Sequence, residues 1–258
     1  MKSPLLAGLT LLALLAGIAA ATPLACPAGP LSATGPALSP PGPGHWLGTD
    51  DLGRSVACLT AFGLRASLAV GLGVLALATS LGLAIGLTAG HLGGLPDAIL
   101  GRLIALFQVV PRFLLALLAV ALFGPSLPLI VLVLGATSWT LVARLARAEA
   151  MTLTARPFTR AAEALGCPPH SILIRHILPN ALPPVRAALP VIAGGAVLAE
   201  AGLGFIGLGA AEAVSLGRLV AEAWPLIALA PWAGLAPVAA LMLLVLAFLA
   251  TAGGSRHG

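Results

Sequence analysis

The sequence predicts an all-α membrane protein with about six transmembrane helices. Of its 258 residues, 59% are hydrophobic and only 8% are charged, whereas a soluble domain carries about 25% charged residues. The apolar residues form continuous runs rather than the two-residue alternation of barrel strands. A disordered chain needs low hydrophobicity and high net charge. The composition therefore excludes a disordered chain as well as an ordinary soluble enzyme.

Six stretches are long and apolar enough to cross a bilayer, since a spanning helix needs about 20 residues. They are Leu5–Ala21, Ala66–Ala89, Leu103–Phe123, Leu127–Ala143, Ala187–Leu208 and Ala228–Ala252. The first stretch follows Lys2 and is also typical of a cleaved signal peptide. A lipoprotein signal before Cys26 lacks the apolar residue usual three positions earlier, where Pro23 stands. The five later spans favour an uncleaved first helix.

Basic residues predict which side of the membrane each loop faces. With the N-terminus in the cytoplasm, nine basic residues fall in cytoplasmic segments and three in external ones. This bias agrees with the positive-inside rule and predicts that both termini are cytoplasmic. The net charge of +5 then reflects basic loops beside a bilayer rather than nucleic-acid binding. The cytoplasmic residues are Lys2, Arg102, Arg144, Arg147, Arg156, Arg160, Arg175, Arg186 and Arg256, and the external ones are Arg54, Arg65 and Arg218.

The chain divides into three regions. Residues 1–63 hold the first transmembrane helix and an external Pro/Gly-rich segment, residues 64–252 form the transmembrane core, and residues 253–258 form a cytoplasmic tail. Within the core, residues 144–186 make the largest cytoplasmic loop. Cys26, Cys58 and Cys167 share no metal-site spacing and are expected on both sides of the membrane. The sequence does not favour a disulfide between Cys26 and Cys58.

The cytoplasmic loop has the pattern of a helix-turn-helix. A short helix is expected over Arg160–Leu165, with Gly166 in the left-handed conformation just past its end. Pro168 and Pro169 suit the first turn of a second helix, which Pro179 is expected to end. The residues alone leave two interpretations open, a docking surface for another protein and a hairpin resting on lipid headgroups. Small side chains cover the first helix and apolar ones line the second, namely Ala161, Ala162 and Ala164, then Ile172, Leu173, Ile177 and Leu178.

The order of residues in this loop resembles the cytoplasmic coupling loop of binding-protein-dependent ABC importer permeases. Their pattern is Glu-Ala-Ala, then Gly, then Ile-x-Leu-Pro, and here it is matched by Ala161, Ala162, Gly166, Ile177, Leu178 and Pro179, the last three at a slightly tighter spacing. The family's glutamate position holds Arg160, while Glu163 stands where dipeptide-type members usually carry arginine. The two charges are therefore exchanged, although at three residues apart they still share one helix face.

Further matches narrow the resemblance to the dipeptide, oligopeptide and nickel permeases of the second-subunit type. Residues 45–54 read His-Trp-Leu-Gly-Thr-Asp-Asp-Leu-Gly-Arg, which is similar to that group's His-Pro-Leu-Gly-Thr-Asp-x-x-Gly-Arg-Asp signature. Trp46 replaces the proline and Ser55 the final aspartate. Additional ordered matches are Gly90–Gly94 with Asp97 and Arg102, Gly124–Leu127, Asn180–Pro184 and Leu198–Gly209.

The resemblance implies a type I ABC importer permease in the bacterial inner membrane, working by alternating access. It implies four kinds of partner: a homologous second permease, two cytoplasmic ATPases, an extracytoplasmic solute-binding protein and membrane lipid, with no nucleic acid. The cargo would be peptides, nickel or other small solutes. ATP and Mg would be used by the ATPase subunits, since this sequence contains no Gly-x-x-x-x-Gly-Lys-Ser/Thr loop. The chain itself is expected to bind no cofactor and not to be an enzyme.

Two other classes remain as alternatives. An ion-coupled secondary transporter should show two similar halves with broken helices, and neither is evident in the sequence. A membrane protein without a transport function has no need of the loop pattern described above.

The predicted site residues form three groups. The coupling loop comprises Arg160, Ala161, Ala162, Glu163, Gly166, Ile177, Leu178 and Pro179; the pathway or gate comprises Arg112 and Glu200; and the external signature comprises His45, Gly48, Thr49, Asp50, Gly53 and Arg54. No metal site is expected, because His170 and His176 lie six residues apart with no acidic or cysteine neighbour at ligand spacing.

Each group other than the coupling loop has two interpretations. Arg112, which follows Pro111 inside the third span, either lines the translocation route or reaches from a tilted helix to the interface. Glu200 lies among glycines, either near an external gate or in a tight helix interface. The Asp50–Arg54 cluster is either a structural interlock or a contact surface for the binding protein or a partner permease.

Overall fold

The computed structural model describes residues 3–254, where the chain is helical apart from short turns and one long loop. Lys2, Arg256 and residues 255–258 of the predicted tail lie outside the described residues. The helices are α1 (Ser3–Ala25), α2 (Val56–Leu92), α3 (Gly94–Val109), α4 (Arg112–Phe123), α5 (Leu127–Thr154), α6 (Pro157–Ala164), α7 (Pro169–Ile172), α8 (Leu178–Phe205), α9 (Leu216–Ala223) and α10 (Pro231–Ala250).

Five of the predicted spans are confirmed as helices long and apolar enough to cross a membrane. They are α1, α2, α5, the run from α7 through α8, and α10. The first four are longer than the predicted spans, whereas α10 begins later and ends earlier than the predicted Ala228–Ala252. In α2, Ser55 caps the helix by accepting a hydrogen bond from the Cys58 N–H. That helix therefore begins at Val56, and the boundary predicted at residue 63 falls inside it.

The third predicted span, Leu103–Phe123, is wrong as a single helix. The axes of α3 and α4 are bent by 76° at Val110 and Pro111. Proline disfavours a helical conformation in the residue before it, and Val110 accordingly has φ −79° and ψ 124°. This break also corrects the expectation of no broken helix. The described chain has six spans if α3 and α4 count as one.

The core of the bundle depends on very close packing between α2 and α5. Gly82, Gly86 and Gly90 face residues 139–151 of α5, and a Cβ on Gly86 would meet the Ala143 backbone. Small residues at four-residue spacing let helix backbones approach in this way. Successive glycines along α2 contact successively later residues of α5, so the two helices run parallel. Helices α3 and α4 carry the chain back across the bundle between them.

The remaining spans pack around this pair. Helix α8 runs antiparallel to α2, with Val197 beside Gly71 and Glu200 beside Ser67. Helix α1 lies along α10, where Gly8 touches the Ala250–Thr251 backbone. Both ends of the described chain therefore lie on the side of the bundle where α5 and α8 are joined. We call this the hairpin side, and we call the opposite side, which carries residues 26–55, the loop side.

The second helix of the loop predicted to be cytoplasmic does not end at Pro179, contrary to the sequence prediction. Leu173–Ile177 form a π-helical turn that joins α7 directly to α8. Within this turn the Leu178 N–H donates to the Leu173 carbonyl, five residues earlier. Pro179 is the second residue of α8, and the helix continues through it although proline has no N–H to donate to the preceding turn. The predicted loop 144–186 consequently begins inside α5 and ends inside α8.

A disulfide joins Cys26 to Cys58 on the loop side, which corrects the sequence expectation. Helix α1 ends at Ala25 and α2 begins at Val56, so both cysteines stand beside the ends of neighbouring helices. Their Cα atoms lie 6.0 Å apart, within the range that a disulfide spans. Cys167, on the hairpin side, is free.

Breaking this disulfide is expected to lower stability while leaving the fold intact. In Cys26→Ser, freeing the intervening loop should cost about 2–4 kcal/mol, measured as a lower melting temperature of the detergent-purified protein. Labelling with a polyethylene-glycol maleimide under denaturing conditions should modify one cysteine of the wild type before reduction and three after it. Cys167→Ser serves as the control and should keep the wild-type melting temperature. Three reactive thiols before reduction would contradict the pairing.

Candidate functional site

Helix α6 follows α5 on the hairpin side of the bundle and is anchored to the end of α5. Thr159 is fully buried, and its hydroxyl donates to the Leu153 carbonyl at 2.7 Å. Ala162 is also buried. Arg160, Ala161 and Glu163 are exposed on the outer surface of the same helix. Helix α6 is therefore held on its inner face and presents small and charged side chains outward.

Gly166 makes the turn that reverses the chain after α6, as the sequence predicted. Its φ is +77°, and the Gly166 N–H donates to the Glu163 carbonyl at 2.9 Å. The Cys167 N–H donates to the Ala162 carbonyl at 3.1 Å. These two bonds form a Schellman cap, which ends a helix on a left-handed residue. Pro169 then begins α7.

The return arm carries the rest of the predicted coupling residues into the bundle. Ile172 and Ile177 are fully buried, Leu178 is half-buried and Pro179 is exposed. We name residues 155–179 the coupling hairpin. One arm is anchored to α5 through Thr159, and the other is continuous with α8. The ring of His176 packs 6.4 Å from that of Phe158, while His170 is exposed.

The exchanged charges of the coupling hairpin do not pair with each other. Among residues 3–254, neither Arg160 nor Glu163 takes part in an ion pair. Both charges are therefore free to meet another surface.

An ion pair on the hairpin side, missed at the sequence level, holds α3 against α5. The Arg147 guanidinium donates to both carboxylate oxygens of Asp97, at 2.5 and 2.7 Å. Asp97 was singled out only as part of a family match. Its partner lies 50 residues away, and a separation of that kind leaves no local pattern in a sequence.

A large open cavity lies where the α3–α4 break faces α5 and α8. Its volume is about 650 Å³. Arg112 lies at the break, at the start of α4 rather than within a continuous span. Its guanidinium reaches into the cavity and donates to the Ser138 hydroxyl at 3.4 Å. Arg144 also lines the cavity, although it was predicted to lie in the cytoplasmic loop.

Glu200 lies in the interface between α8 and α2 and is not among the residues that line this cavity. Only 1% of its surface is exposed, and its carboxylate accepts a hydrogen bond from the Ser67 hydroxyl at 3.0 Å. The glycine at position 204 packs closely against Ser215. The geometry is that of a tight helix interface on the loop-side half of the bundle.

The predicted external signature folds into a compact loop organised by Asp50. One Asp50 oxygen accepts from the backbone N–H groups of Leu52 and Arg54, at 3.0 and 2.8 Å. The other accepts from the Arg54 guanidinium at 2.5 Å. Gly48 and Gly53 both have φ +72°, and a Cβ on either would collide with neighbouring backbone. Half-buried His45 pairs through its backbone with Gly42.

Contacts from distant residues fix this loop to the bundle. Thr49 is fully buried, and its carbonyl accepts from the Trp232 indole N–H at 3.1 Å. Glu222 lies 3.4 Å from Arg54 and 2.7 Å from Arg218. The signature residues therefore join the segment before α2 to α9 and α10. Sequence reasoning identified neither Trp232 nor Glu222, because each lies more than 160 residues away from its partner.

Comparison with known proteins places this architecture in a family. Residues 82–253 match the family described as "Binding-protein-dependent transport system inner membrane component". The chain is 36% identical over 220 residues to the dipeptide transport system permease protein DppC of Alkalihalophilus pseudofirmus, covering 85% of this chain and 72% of that protein. It is 34% identical over 228 residues to the oligopeptide transport system permease protein OppC of Mycobacterium bovis, covering 85% and 76%.

A solved structure agrees at the level of the fold. A chain of the MetNI methionine ABC transporter in inward-facing conformations superposes with a TM-score of 0.62 at 19% identity, covering 77% of this chain and 95% of that one. Together with the apolar helices, these matches confirm the resemblance inferred from the sequence. The chain belongs to the inner-membrane permease components of binding-protein-dependent transport systems, in the group of the dipeptide and oligopeptide permeases.

Proposed function

We propose that this chain is a permease subunit of an ATP-driven importer of peptides, and that the coupling hairpin transmits ATPase movement to the transmembrane helices. The observation that supports this most is the connection of the hairpin to both α5 and α8. The relatives named for dipeptide and oligopeptide transport support the cargo class. A bare nickel ion suits the cavity poorly, because two arginines and no acidic residue line the part that the structure describes.

The proposed mechanism is alternating access. ATP and Mg would be bound by the partner ATPases, whose closure displaces α6. Since Thr159 holds α6 to the end of α5, that displacement moves α5. Since the π turn joins α7 to α8 without a break, it also moves α8. These two helices form two walls of the cavity, so their relative movement changes its access from one side to the other.

The proposed orientation places the hairpin side in the cytoplasm, with both termini there. Two features support it. Six arginines lie in the coupling hairpin and the adjoining parts of α5 and α8, against three toward the loop side, Arg54, Arg65 and Arg218, in agreement with the positive-inside rule. The Cys26–Cys58 disulfide lies on the loop side, and disulfides persist in the oxidising periplasm rather than in the cytosol.

The proposed partners occupy different faces of the chain. Two ATPases would dock on the coupling hairpins of this chain and of a homologous second permease. The second permease would cover the open side of the cavity beside α3 and α4, whose apolar side chains are largely exposed. A solute-binding protein would dock on the loop side. The external signature would support that surface by joining the segment before α2 to α9 and α10. The remaining apolar surface would face lipid.

Site-directed crosslinking tests the proposed coupling. In a Cys167→Ser background, Ala161→Cys puts a thiol on the exposed face of α6. A short maleimide–N-hydroxysuccinimide ester crosslinker, which joins this thiol to a lysine amine, should then link the chain to an ATPase subunit in native membranes, and nucleotide should change the yield. Leu31→Cys is the matched control, because Leu31 is exposed on the loop side.

The control also defines the result that contradicts the proposal. Leu31→Cys should give no ATPase adduct. An ATPase crosslinked from Leu31→Cys, or none crosslinked from Ala161→Cys, would show that the coupling hairpin is not the docking element.

A further inference from the structure

The cavity beside the α3–α4 break has three walls of different character. One face of α5 supplies polar residues along with two leucines, and a face of α8 supplies only the small residues Gly195, Ala196 and Ala199. A Cβ on Gly195 would meet nothing within 4 Å, which agrees with open space there. The third wall is the break itself, residues 107, 108 and 110–113. The α5 face consists of Leu134, Thr137, Ser138, Thr140, Leu141 and Arg144.

The charge of this cavity is positive and uncompensated. Arg112 and Arg144 both line it, and none of its lining residues in the described chain is acidic. Within residues 3–254, neither arginine pairs with a carboxylate. The nearby Arg147 is instead paired with Asp97, and Glu200 bonds to Ser67 in α2. Unpaired charges at membrane depth mark a wet cavity or a route for an oppositely charged ligand.

The chemistry of the lining suits a carboxylate. A guanidinium presents planar donors that match two carboxylate oxygens. The Thr140 hydroxyl and the Gln108 amide, which also line the cavity, can donate further hydrogen bonds. The volume of about 650 Å³ falls within the range of about 300–1,000 Å³ that is usual for small-molecule sites. A short peptide fits that space.

We propose that Arg112 and Arg144 form a transient binding site for the C-terminal carboxylate of the transported peptide. This inference rests on the proposed function and adds to it a substrate group and the residues that meet it. Arg144 lies nearer the hairpin side than Ser138, by roughly 9 Å along α5. The two arginines thus bracket the cavity along the direction of transport, and the carboxylate passes from one to the other. An anionic lipid headgroup has the same charge and is the competing occupant.

Uptake by the complete transporter tests the site. The complex is reconstituted with its binding protein into phosphatidylcholine vesicles, with and without phosphatidylglycerol. Uptake of alanyl-alanine and of its C-terminal amide is compared after correction for loading of the binding protein, measured by separate titration. In the wild type, the corrected uptake of the free acid should exceed that of the amide by about tenfold, the usual effect of one hydrogen bond to a charged group.

The variants separate the site from other causes. Combining Arg112→Gln with Arg144→Gln should remove the tenfold preference, Arg112→Lys should retain part of it, and Arg65→Gln, outside the cavity, should keep it all. An unchanged preference in the double variant overturns the site. A preference that follows phosphatidylglycerol content instead of the peptide carboxylate also overturns it, in favour of lipid. No ATP-dependent uptake of either peptide by the wild type would instead contradict the proposed function.

A second measurement does not depend on delivery by the binding protein. Phenylglyoxal, which modifies arginine, is applied to the detergent-purified complex and the modified residues are mapped by mass spectrometry. Alanyl-alanine should protect Arg112 and Arg144 but not Arg65, and its amide should protect none of them. Equal protection by both peptides, or protection by neither, overturns the carboxylate site.

Discussion

Replacement of Gly166 by valine is expected to abolish transport and to weaken binding of the ATPase, while the chain still inserts into the membrane. Gly166 has φ +77°, a conformation that a β-branched residue adopts only at a cost of about 1–3 kcal/mol. A Cβ at this position would meet nothing within 4 Å. The strain is therefore confined to the turn, and it disturbs the Schellman cap that sets the angle between α6 and the return arm.

The measurements separate coupling from folding. Uptake and recovery of the ATPase with the affinity-purified chain should both fall by at least about tenfold, which corresponds to 1.4 kcal/mol, while membrane abundance stays near that of the wild type. Gly166→Asn should restore function in part, because asparagine tolerates the left-handed conformation. Gly207→Val is a matched control, since Gly207 has φ +83° and equally open surroundings but lies at the loop-side end of α8. Normal uptake by Gly166→Val would remove the proposed role of the turn.

Local rules predicted the coupling hairpin well. Glycine readily adopts the left-handed conformation just past a helix end, and proline suits the first turn of the next helix, so Gly166 and Pro169 could be placed from neighbouring residues alone. The same reasoning failed at Pro179. A helix can continue through a proline when the preceding turn changes from α-helical to π-helical geometry. No local sequence pattern predicts such a π turn.

Hydropathy predicted the number of spans better than their shape. A window average finds the apolar residues of Leu103–Phe123 but does not register a 76° bend between them. Helix α9 has eight residues and one apolar face, which is too short for the same window. Sequence reasoning therefore found Arg112 as an unusual charge but placed it in mid-helix, and it missed the partnership of Arg112 with Arg144 in one cavity.

Long-range contacts were beyond the reach of sequence reasoning. Cys26 and Cys58 pair because the ends of α1 and α2 meet, and Arg54 reaches Glu222 across 168 residues. The glycines at 82, 86 and 90 are visible in the sequence as a four-residue repeat, but their partner helix is not. The structure identifies that partner as α5 and shows how little space lies between the two backbones.

Replacement of Gly86 by leucine is expected to prevent folding of the helix bundle, rather than to affect only the transmission of ATPase movement. A Cβ on Gly86 would overlap the carbonyl, C and Cα atoms of Ala143, and backbone cannot move aside as a flexible side chain can. Separating α2 from α5 would open the core around buried Val142 and Ile130, at a cost of about 3 kcal/mol or more. Membrane abundance and the melting temperature in detergent should both fall sharply.

A matched control distinguishes this packing effect from the general effect of placing leucine in a helix. Gly17 also lies inside a spanning helix, α1, but it is exposed and a Cβ there would meet nothing within 4 Å. Gly17→Leu should therefore be neutral, or stabilising by up to about 1 kcal/mol through helix propensity. Wild-type abundance for Gly86→Leu would mean that α2 and α5 do not pack backbone against backbone. The hairpin would then lack the rigid pair of helices through which, in the proposed mechanism, a displacement of α6 reaches the cavity.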